Sequence, residues 1–177
     1  MDAAPRADFP ASLSFTLTNA CNLRCRMCGQ WSDEGYMREP RAAAPAMQLA
    51  DWKRLVDEVA AHRGGSVLLR GGETFLYPHA IELIEHAVGR GLFVAIDTNG
   101  TLLGKYAEDL VRIGNLHLTV SIDGPEEIHD EVRGVKGCFR AVREGLERLR
   151  ACETAAGREL SKAICFVISP YSVRGLG

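Results

Sequence analysis

The chain has 177 residues, of which 46% are hydrophobic and 25% are charged, a balance typical of a single folded domain. Its formal net charge of −2 gives no electrostatic basis for binding nucleic acid. No apolar run approaches the roughly 20 residues that a membrane helix needs, and residues 1–10 lack the apolar stretch of a secretory signal. We therefore expect a cytoplasmic protein with no nucleic-acid or membrane partner.

The first third of the chain predicts a strand, a long loop, a helix and a second strand. Residues 13–18 are apolar or β-branched and predict the first strand, while the polar stretch 29–45 is long enough for a functional loop. A helix is predicted over residues 49–62, where five apolar side chains share one face: Leu49, Trp52, Leu55, Val56 and Val59. Residues 66–70 predict the second strand.

The remainder of the chain repeats this alternation. Three further helices are predicted at residues 78–89, 102–113 and 138–151. Three further strands are predicted at residues 92–97, 116–122 and 162–169. Because short apolar strands alternate with amphipathic helices, the chain is expected to be an α/β protein with a parallel sheet built from right-handed βαβ units.

Five strands cannot close an eight-stranded barrel, so the residues alone leave two architectures open. The sheet could be open and doubly wound, or it could form most of a partial barrel. In both architectures ligands bind at the carboxyl ends of the strands. Polar residues and glycines follow each predicted strand: the Cys21–Cys28 segment, Gly71-Gly72-Glu73, Thr98-Asn99-Gly100, Ser121-Ile-Asp123-Gly124 and Ser169-Pro170. The sequence therefore predicts a site at this rim.

Three of the six cysteines lie within eight positions, at Cys21, Cys25 and Cys28. Clustered thiols in a reducing compartment indicate metal ligands or redox groups rather than disulfides. Three thiolates on one loop could hold one face of a four-iron cluster and leave one iron open to another ligand. A structural zinc site is the alternative, although the segment lacks the second cysteine pair that such sites use.

The other three cysteines are widely spaced. Cys138, Cys152 and Cys165 are expected to be ordinary thiols that pack as small hydrophobic residues.

Several motifs together resemble one enzyme family. The run Cys21-Asn-Leu-Arg-Cys25-Arg-Met-Cys28 resembles the signature of the radical S-adenosylmethionine (radical SAM) superfamily, and Gly71-Gly72-Glu73 resembles its second motif. The segment from Ser121 to Gly134, with Ser-Ile-Asp-Gly-Pro and His-Asp-x-x-Arg-Gly, resembles the SPASM-type enzymes that mature peptides and sulfatases. The resemblance spans residues 12–170, nearly the whole chain.

The resemblance implies a partial (βα)6 barrel of the TIM-like radical SAM type, with about five of its six strands present. It implies that Cys21, Cys25 and Cys28 bind a [4Fe-4S] cluster whose open iron chelates S-adenosylmethionine. Reductive cleavage of that cofactor gives a 5′-deoxyadenosyl radical, which abstracts hydrogen from a substrate, here unknown and by analogy a peptide. A flavodoxin- or ferredoxin-like electron donor is the implied partner.

Seven further residues are implied to contact the cofactor. Gly71 and Gly72 permit close backbone approach, and Glu73 would accept a hydrogen bond from the cofactor ammonium group. Asn99 would line the site, Ser121 and Asp123 would bind the ribose or the carboxylate, and Arg133 would pair with the carboxylate. The alternatives are turn residues for Asn99 and a surface charge for Arg133, and His129-Asp130 could be a polar pair at a helix start.

The sequence departs from the family pattern in two places. Met27 stands where an aromatic residue is common, and Thr74 stands where proline is common.

The chain is expected to divide into three parts. Residues 1–11 are expected to be a tail, residues 12–170 an incomplete radical SAM core, and residues 171–177 a tail left by truncation. The alternative function is therefore a non-catalytic iron–sulfur or cofactor-binding module that needs a partner chain.

Overall fold

The computed structural model describes residues 10–37, 47–62 and 65–175. Its sheet contains five strands: β1 (Ser12–Thr16), β2 (Ser66–Arg70), β3 (Phe93–Thr98), β4 (Leu116–Ser121) and β5 (Ser161–Cys165). Every neighbouring pair is parallel, and the spatial order follows the chain order from β1 to β5. A doubly wound sheet reverses its strand order at a switch point. The unreversed order confirms the partial-barrel prediction.

In the part of the chain that the structure describes, five helices connect or follow the strands: α1 (Leu49–Ala61), α2 (Ala80–Gly89), α3 (Leu103–Ile113), α4 (Glu126–Arg133) and α5 (Cys138–Ala156). Short 3-10 turns lie at Thr74–Leu76 and Val173–Gly175. Within the described ranges, no helix is long and apolar enough to cross a membrane.

Helix α4 is not among the helices predicted from the sequence. Only Ile128 and Val132 are apolar among its eight residues, so hydrophobic periodicity could not reveal it. The helix ends at Gly134, whose φ of 72° places it in the left-handed region that closes a helix without steric cost.

The core lies between the sheet and the helices. Side chains alternate along β2, β3 and β4, so that one face of each strand is fully buried and the other is half-buried. The buried strand face packs against apolar residues of the helices, among them Leu83, Ile84, Leu103, Leu110 and Leu149. This packing holds the strand ends, and hence the loops that follow them, in fixed positions.

Four predicted boundaries differ from the structure by two residues or more. The first strand ends at Thr16 rather than at residue 18, α2 begins at Ala80 rather than at Pro78, α5 ends at Ala156 rather than at residue 151, and β5 ends at Cys165 rather than at residue 169. Strand β5 lies at the end of the sheet order and is exposed along its length, including Ile164. In the described part of the chain, the outer edge of β5 pairs with no other strand, so β5 is an edge strand. Much of the predicted N-terminal tail, and residues 38–45 of the predicted loop, lie outside the described residues.

Candidate functional site

A cavity of about 430 Å³ opens at the carboxyl ends of the strands, beside the loop that follows β1. Eight of the ten predicted site residues line it: Cys21, Cys25, Cys28, Gly71, Gly72, Asn99, Ser121 and Arg133. The two remaining residues, Glu73 and Asp123, are not on its wall. Both are almost completely buried, with 1% and 0% of their surfaces exposed.

The cysteine-bearing loop is held from below by α4. The backbone amides of Arg24 and Arg26 donate to the carbonyl oxygens of Arg133 and Val132, each at 2.9 Å. The last carbonyls of a helix have no partner within the helix, so these two bonds both cap α4 and fix the loop. Cys25 lies between the two donors, so the backbone on both sides of it is fixed to α4.

Burial raises the pKa of the Cys21 and Cys25 thiols. Glu73 and Cys28 raise the pKa of Cys21 further, and Cys21 and Cys28 raise that of Cys25, because like charges close together disfavour ionisation. For Cys25, the nearby guanidinium of Arg133 acts in the opposite direction. Because thiolates are the metal-binding form, loading of this loop must release protons.

In the described part of the chain, no three side chains among His, Cys, Asp and Glu converge closely enough to hold one metal ion. A tetrahedral zinc site needs four ligand atoms at roughly 2.0–2.3 Å from the metal. The three thiols instead surround one end of an open cavity. The donor set fits a thiolate-bound iron–sulfur cluster better than it fits zinc.

Gly71 and Gly72 lie against the protein's own backbone as well as against the cavity. A Cβ atom on Gly71 would overlap the carbonyl oxygen of Thr18, and one on Gly72 would overlap those of Asn19 and Ala20. The amide of Gly72 donates to Thr18 O at 2.7 Å. Close approach was predicted here, but it serves first to lock the loop after β2 onto the loop after β1.

Glu73 connects the ends of β2 and β3. Its Oε1 accepts hydrogen bonds from the Phe75 amide at 3.1 Å and from Thr98 Oγ1 at 2.8 Å, and its Oε2 accepts from the Asn99 amide at 2.7 Å. Burial raises the pKa of Glu73, and these three donors offset part of that effect. The carboxylate therefore lies beneath the cavity wall and positions Asn99.

The side chain of Asn99 is engaged by the cysteine loop. Its Nδ2 donates to Asn22 Oδ1 at 2.8 Å, and its Oδ1 accepts from the Thr101 amide at 3.0 Å and from the Thr101 hydroxyl at 2.7 Å. Asn22 in turn donates to Thr101 Oγ1 at 2.8 Å. The loops after β1 and β3 thus share one hydrogen-bonded network, and the role of Asn22 was not anticipated from the sequence.

Arg133 and Asp123 form a buried ion pair. Arg133 Nε lies 2.6 Å from Asp123 Oδ2, in an orientation that makes an ion pair rather than an aligned hydrogen bond. Asp123 Oδ1 accepts from the Val167 amide at 3.1 Å. Arg133 Nη1 lies 3.8 Å from Cys25 Sγ, while its buried Nη2 has no hydrogen-bond partner among the described residues. Arg133 is thus a cavity residue and not a surface charge.

His129 and Asp130 have positions that the sequence interpretation missed. His129 lies within α4, where its Nδ1 accepts from the Asp123 amide at 3.1 Å, and burial lowers its pKa. Asp130 accepts from the amides of Gly137 and Phe139, at 2.5 and 2.9 Å, and so caps α5. The alternative of a polar pair at a helix start is not observed, because both residues lie in the middle of α4 and Asp130 supports the start of α5.

The three isolated cysteines differ from one another. Cys138 is buried beside Cys25 and donates to Asp130 at 3.2 Å, and burial raises its pKa to about 12. Cys152 packs against the main core as expected. Cys165 is exposed and lines the cavity, so its prediction as a packed thiol was wrong. Its place at the carboxyl end of a strand was the signal available, hidden by the overlong predicted β5.

Trp31 also lines the cavity. The guanidinium of Arg24 lies 4.1 Å from the centre of its ring, a cation–π contact that holds the indole beside the cysteines. Trp31 belongs to the polar stretch 29–45 that the sequence predicts to be a functional loop.

Comparison with known proteins identifies relatives whose described activities differ. The chain is 35% identical over 148 residues to the AdoMet-dependent heme synthase of Methanosarcina barkeri, which covers 81% of this chain and 40% of the relative. It is 32% identical over 141 residues to the sporulation killing factor maturation protein SkfB of Bacillus subtilis, covering 79% and 33%. The chain thus spans two fifths or less of the length of these relatives.

Solved structures share the fold. Native anSMEcpe with bound AdoMet superposes with a TM-score of 0.72 at 22% identity, covering 92% of this chain and 45% of that protein. Streptococcus suis SuiB bound to the precursor peptide SuiA gives 0.69 at 20% identity, covering 95% and 36%. These likenesses confirm the predicted fold class.

The radical SAM superfamily model matches residues 15–155, which include the three clustered cysteines and every predicted cofactor residue. That family uses a [4Fe-4S] cluster and S-adenosylmethionine, the two cofactors predicted from the sequence. The chain belongs to the radical SAM superfamily.

Proposed function

We propose that this chain is the cluster- and cofactor-binding core of a radical SAM enzyme. The observation that carries the proposal is the placement of Cys21, Cys25 and Cys28 around one cavity at the strand ends. The volume of that cavity, about 430 Å³, lies in the range of small-molecule sites. When bound, the cluster and S-adenosylmethionine supply a 5′-deoxyadenosyl radical for hydrogen abstraction from the substrate.

The chain's own residues would bind and orient these groups. The three cysteines would ligate the cluster, and Gly71, Gly72 and Asn99 would form the wall against the cofactor. The Ser121 side chain has no hydrogen-bond partner among the described residues and lines the cavity, which supports a contact with the cofactor. Arg133 also lines the cavity, where its guanidinium would bind a carboxylate.

Glu73 and Asp123 would act on the cofactor by positioning other groups. The oxygens of Glu73 already accept three hydrogen bonds from Phe75, Thr98 and Asn99. Asp123 holds the guanidinium of Arg133, which itself borders the cavity. We propose that these two carboxylates keep the cavity wall in place, rather than receiving the cofactor directly.

The substrate class proposed is a peptide. This is supported by SkfB, described as a maturation protein, and by the fold shared with SuiB, solved with its precursor peptide. The heme synthase of M. barkeri favours a tetrapyrrole as the second candidate. A flavodoxin- or ferredoxin-like protein is proposed as the electron donor.

The test is anaerobic reconstitution of the chain with iron and sulfide, followed by reduction and assay of 5′-deoxyadenosine with S-adenosylmethionine. The proposal predicts a cluster and cofactor-dependent release of 5′-deoxyadenosine. A cluster that forms without cleavage, with cleavage gained only when a second chain is added, would favour the alternative of a module that needs a partner. If the chain purified without oxygen contains zinc, and iron and sulfide form no cluster on it, both readings are contradicted.

A further inference from the structure

The buried pair of Arg133 and Asp123 lies against one particular thiol of the cysteine loop. Arg133 Nη1 is 3.8 Å from Cys25 Sγ, and its Nε is 2.6 Å from Asp123 Oδ2. Both charged side chains are buried, with 8% and 0% of their side-chain surfaces exposed. Since solvent does not screen a pair placed this deeply, its charges act strongly on any charged group at Cys25.

Asp123 and the backbone of Arg133 are both bonded to neighbouring segments. Asp123 is itself fixed by the Val167 amide, which donates to its Oδ1, and by its own amide, which donates to His129 Nδ1. The backbone carbonyl of Arg133 accepts from the Arg24 amide, next to Cys25 in the chain. The cation and the sulfur therefore belong to one rigid unit and keep their separation.

We propose that Arg133 is a positioning residue that sets the reduction potential of the cluster through the sulfur of Cys25, and that Asp123 limits this effect. The inference rests on the proposed function, since it requires a cluster at these cysteines. Hydrogen bonds and charges at the ligand sulfurs govern the potential of iron–sulfur clusters. A reduced cluster carries one more negative charge than an oxidised one, so a cation nearby favours reduction and an anion opposes it.

The two members of the pair should therefore shift the potential in opposite directions. Arg133→Gln removes the cation and leaves the Asp123 carboxylate uncompensated, so the midpoint potential becomes more negative. Asp123→Asn leaves the cation uncompensated, so the potential becomes more positive. Removing one member of a buried pair also destabilises the fold by leaving an uncompensated buried charge, whereas removing both charges leaves none. The double variant Arg133→Gln/Asp123→Asn is expected to fold and to have an intermediate potential.

The experiment is a redox titration of the reconstituted chain, monitored by electron paramagnetic resonance without added S-adenosylmethionine. Matched controls come from an exposed ion pair between α4 and α5, Glu126 with Arg140, whose atoms lie 3.4 Å apart. Arg140→Gln and Glu126→Gln make the same charge changes away from the cysteine loop, and both should leave the potential unchanged.

A purely structural role for the pair would change cluster content or stability, but not shift the potential with opposite signs. Opposite shifts in the two single variants support the inference. Equal potentials, or shifts of the same sign, overturn it while leaving the proposed function intact. If either single variant fails to fold, the Arg133→Lys variant is compared with the double variant instead. A midpoint potential of Arg133→Lys that is more negative than that of the double variant contradicts the inference. A wild-type chain without a cluster overturns the proposed function itself.

Discussion

The backbone amide of Asn99 donates a 2.7 Å hydrogen bond to Oε2 of Glu73, which joins the loop after β3 to the loop after β2. The buried carboxylate of Glu73 therefore lies among the loops that form the site, and not on the surface of the cavity. The loops at the strand ends are therefore connected to one another before any cofactor is considered, and this preorganisation is what binding requires.

Glu73→Gln should lower the free energy of unfolding by about 1–3 kcal/mol. Both carboxylate oxygens accept from backbone N–H groups, Phe75 on one and Asn99 on the other. The amide nitrogen of glutamine must then face an N–H donor in either orientation. Urea unfolding at neutral pH measures the change, with exposed Glu144→Gln as the control, expected within about 0.5 kcal/mol of the wild type. Equal stabilities of the two variants would argue against the described orientation of Glu73.

Gly72→Ala should destabilise the chain and reduce cluster uptake, because the new methyl group would overlap the carbonyl oxygens of Asn19 and Ala20. Gly89, the last residue of α2, is the matched control, since a Cβ there meets nothing within 4 Å. Gly89→Ala should be neutral or stabilising by up to about 1 kcal/mol. Thermal unfolding and iron content measure both effects. A Gly72→Ala chain as stable as Gly89→Ala would show that the two loops do not pack as described.

Asp130→Ala should cost about 1–2 kcal/mol at neutral pH, because the amides of Gly137 and Phe139 at the start of α5 lose their acceptor. Burial acts to raise the pKa of Asp130, but the hydrogen bonds from Phe139, Gly137 and Cys138 outweigh it, so its pKa lies below the ordinary value of 3.8.

The sign of the pH dependence follows from that lowered pKa. The stabilisation by Asp130 is fully present above pH 3.8 and is lost as the pH falls through the lower folded-state pKa. The difference in unfolding free energy between wild type and Asp130→Ala should therefore shrink in acid. Glu127→Ala, exposed on the same helix, is the control and should show little such change. If the difference in unfolding free energy between wild type and Asp130→Ala were the same at every pH between 7 and 2, Asp130 would not cap α5 as a carboxylate.

Much of the fold could be predicted because strands and helices alternate with clear hydrophobic periods. What could not be predicted was α4, since its eight residues contain only two apolar side chains. Its place depends on tertiary bonds: the Arg24 and Arg26 amides that cap its end, and Asp130 that caps the next helix. The bonds made by Arg24 and Arg26 join residues about 100 positions apart and leave no local pattern.

Part of the candidate site could likewise be predicted from the sequence, and part could not. Cys21, Cys25 and Cys28 could be predicted as ligands because thiols at this spacing have few other uses in a reducing compartment. The direction in which Glu73 and Asp123 point could not be predicted, because a carboxylate at a strand end can face the cavity or the neighbouring loop. Only the donors that surround each carboxylate, Asn99 and Val167 among them, decide between the two.

The central claim is that the clustered cysteines bind a four-iron cluster, and iron and sulfide analysis with electron paramagnetic resonance tests it most directly. The wild-type chain, reconstituted and reduced without oxygen, should contain about four iron and four sulfide per chain and give the signal of a reduced [4Fe-4S] cluster. Cys25→Ala should lose both, whereas Cys152→Ala, which changes a cysteine packed against the main core, should retain both. An unchanged cluster in Cys25→Ala would contradict the account.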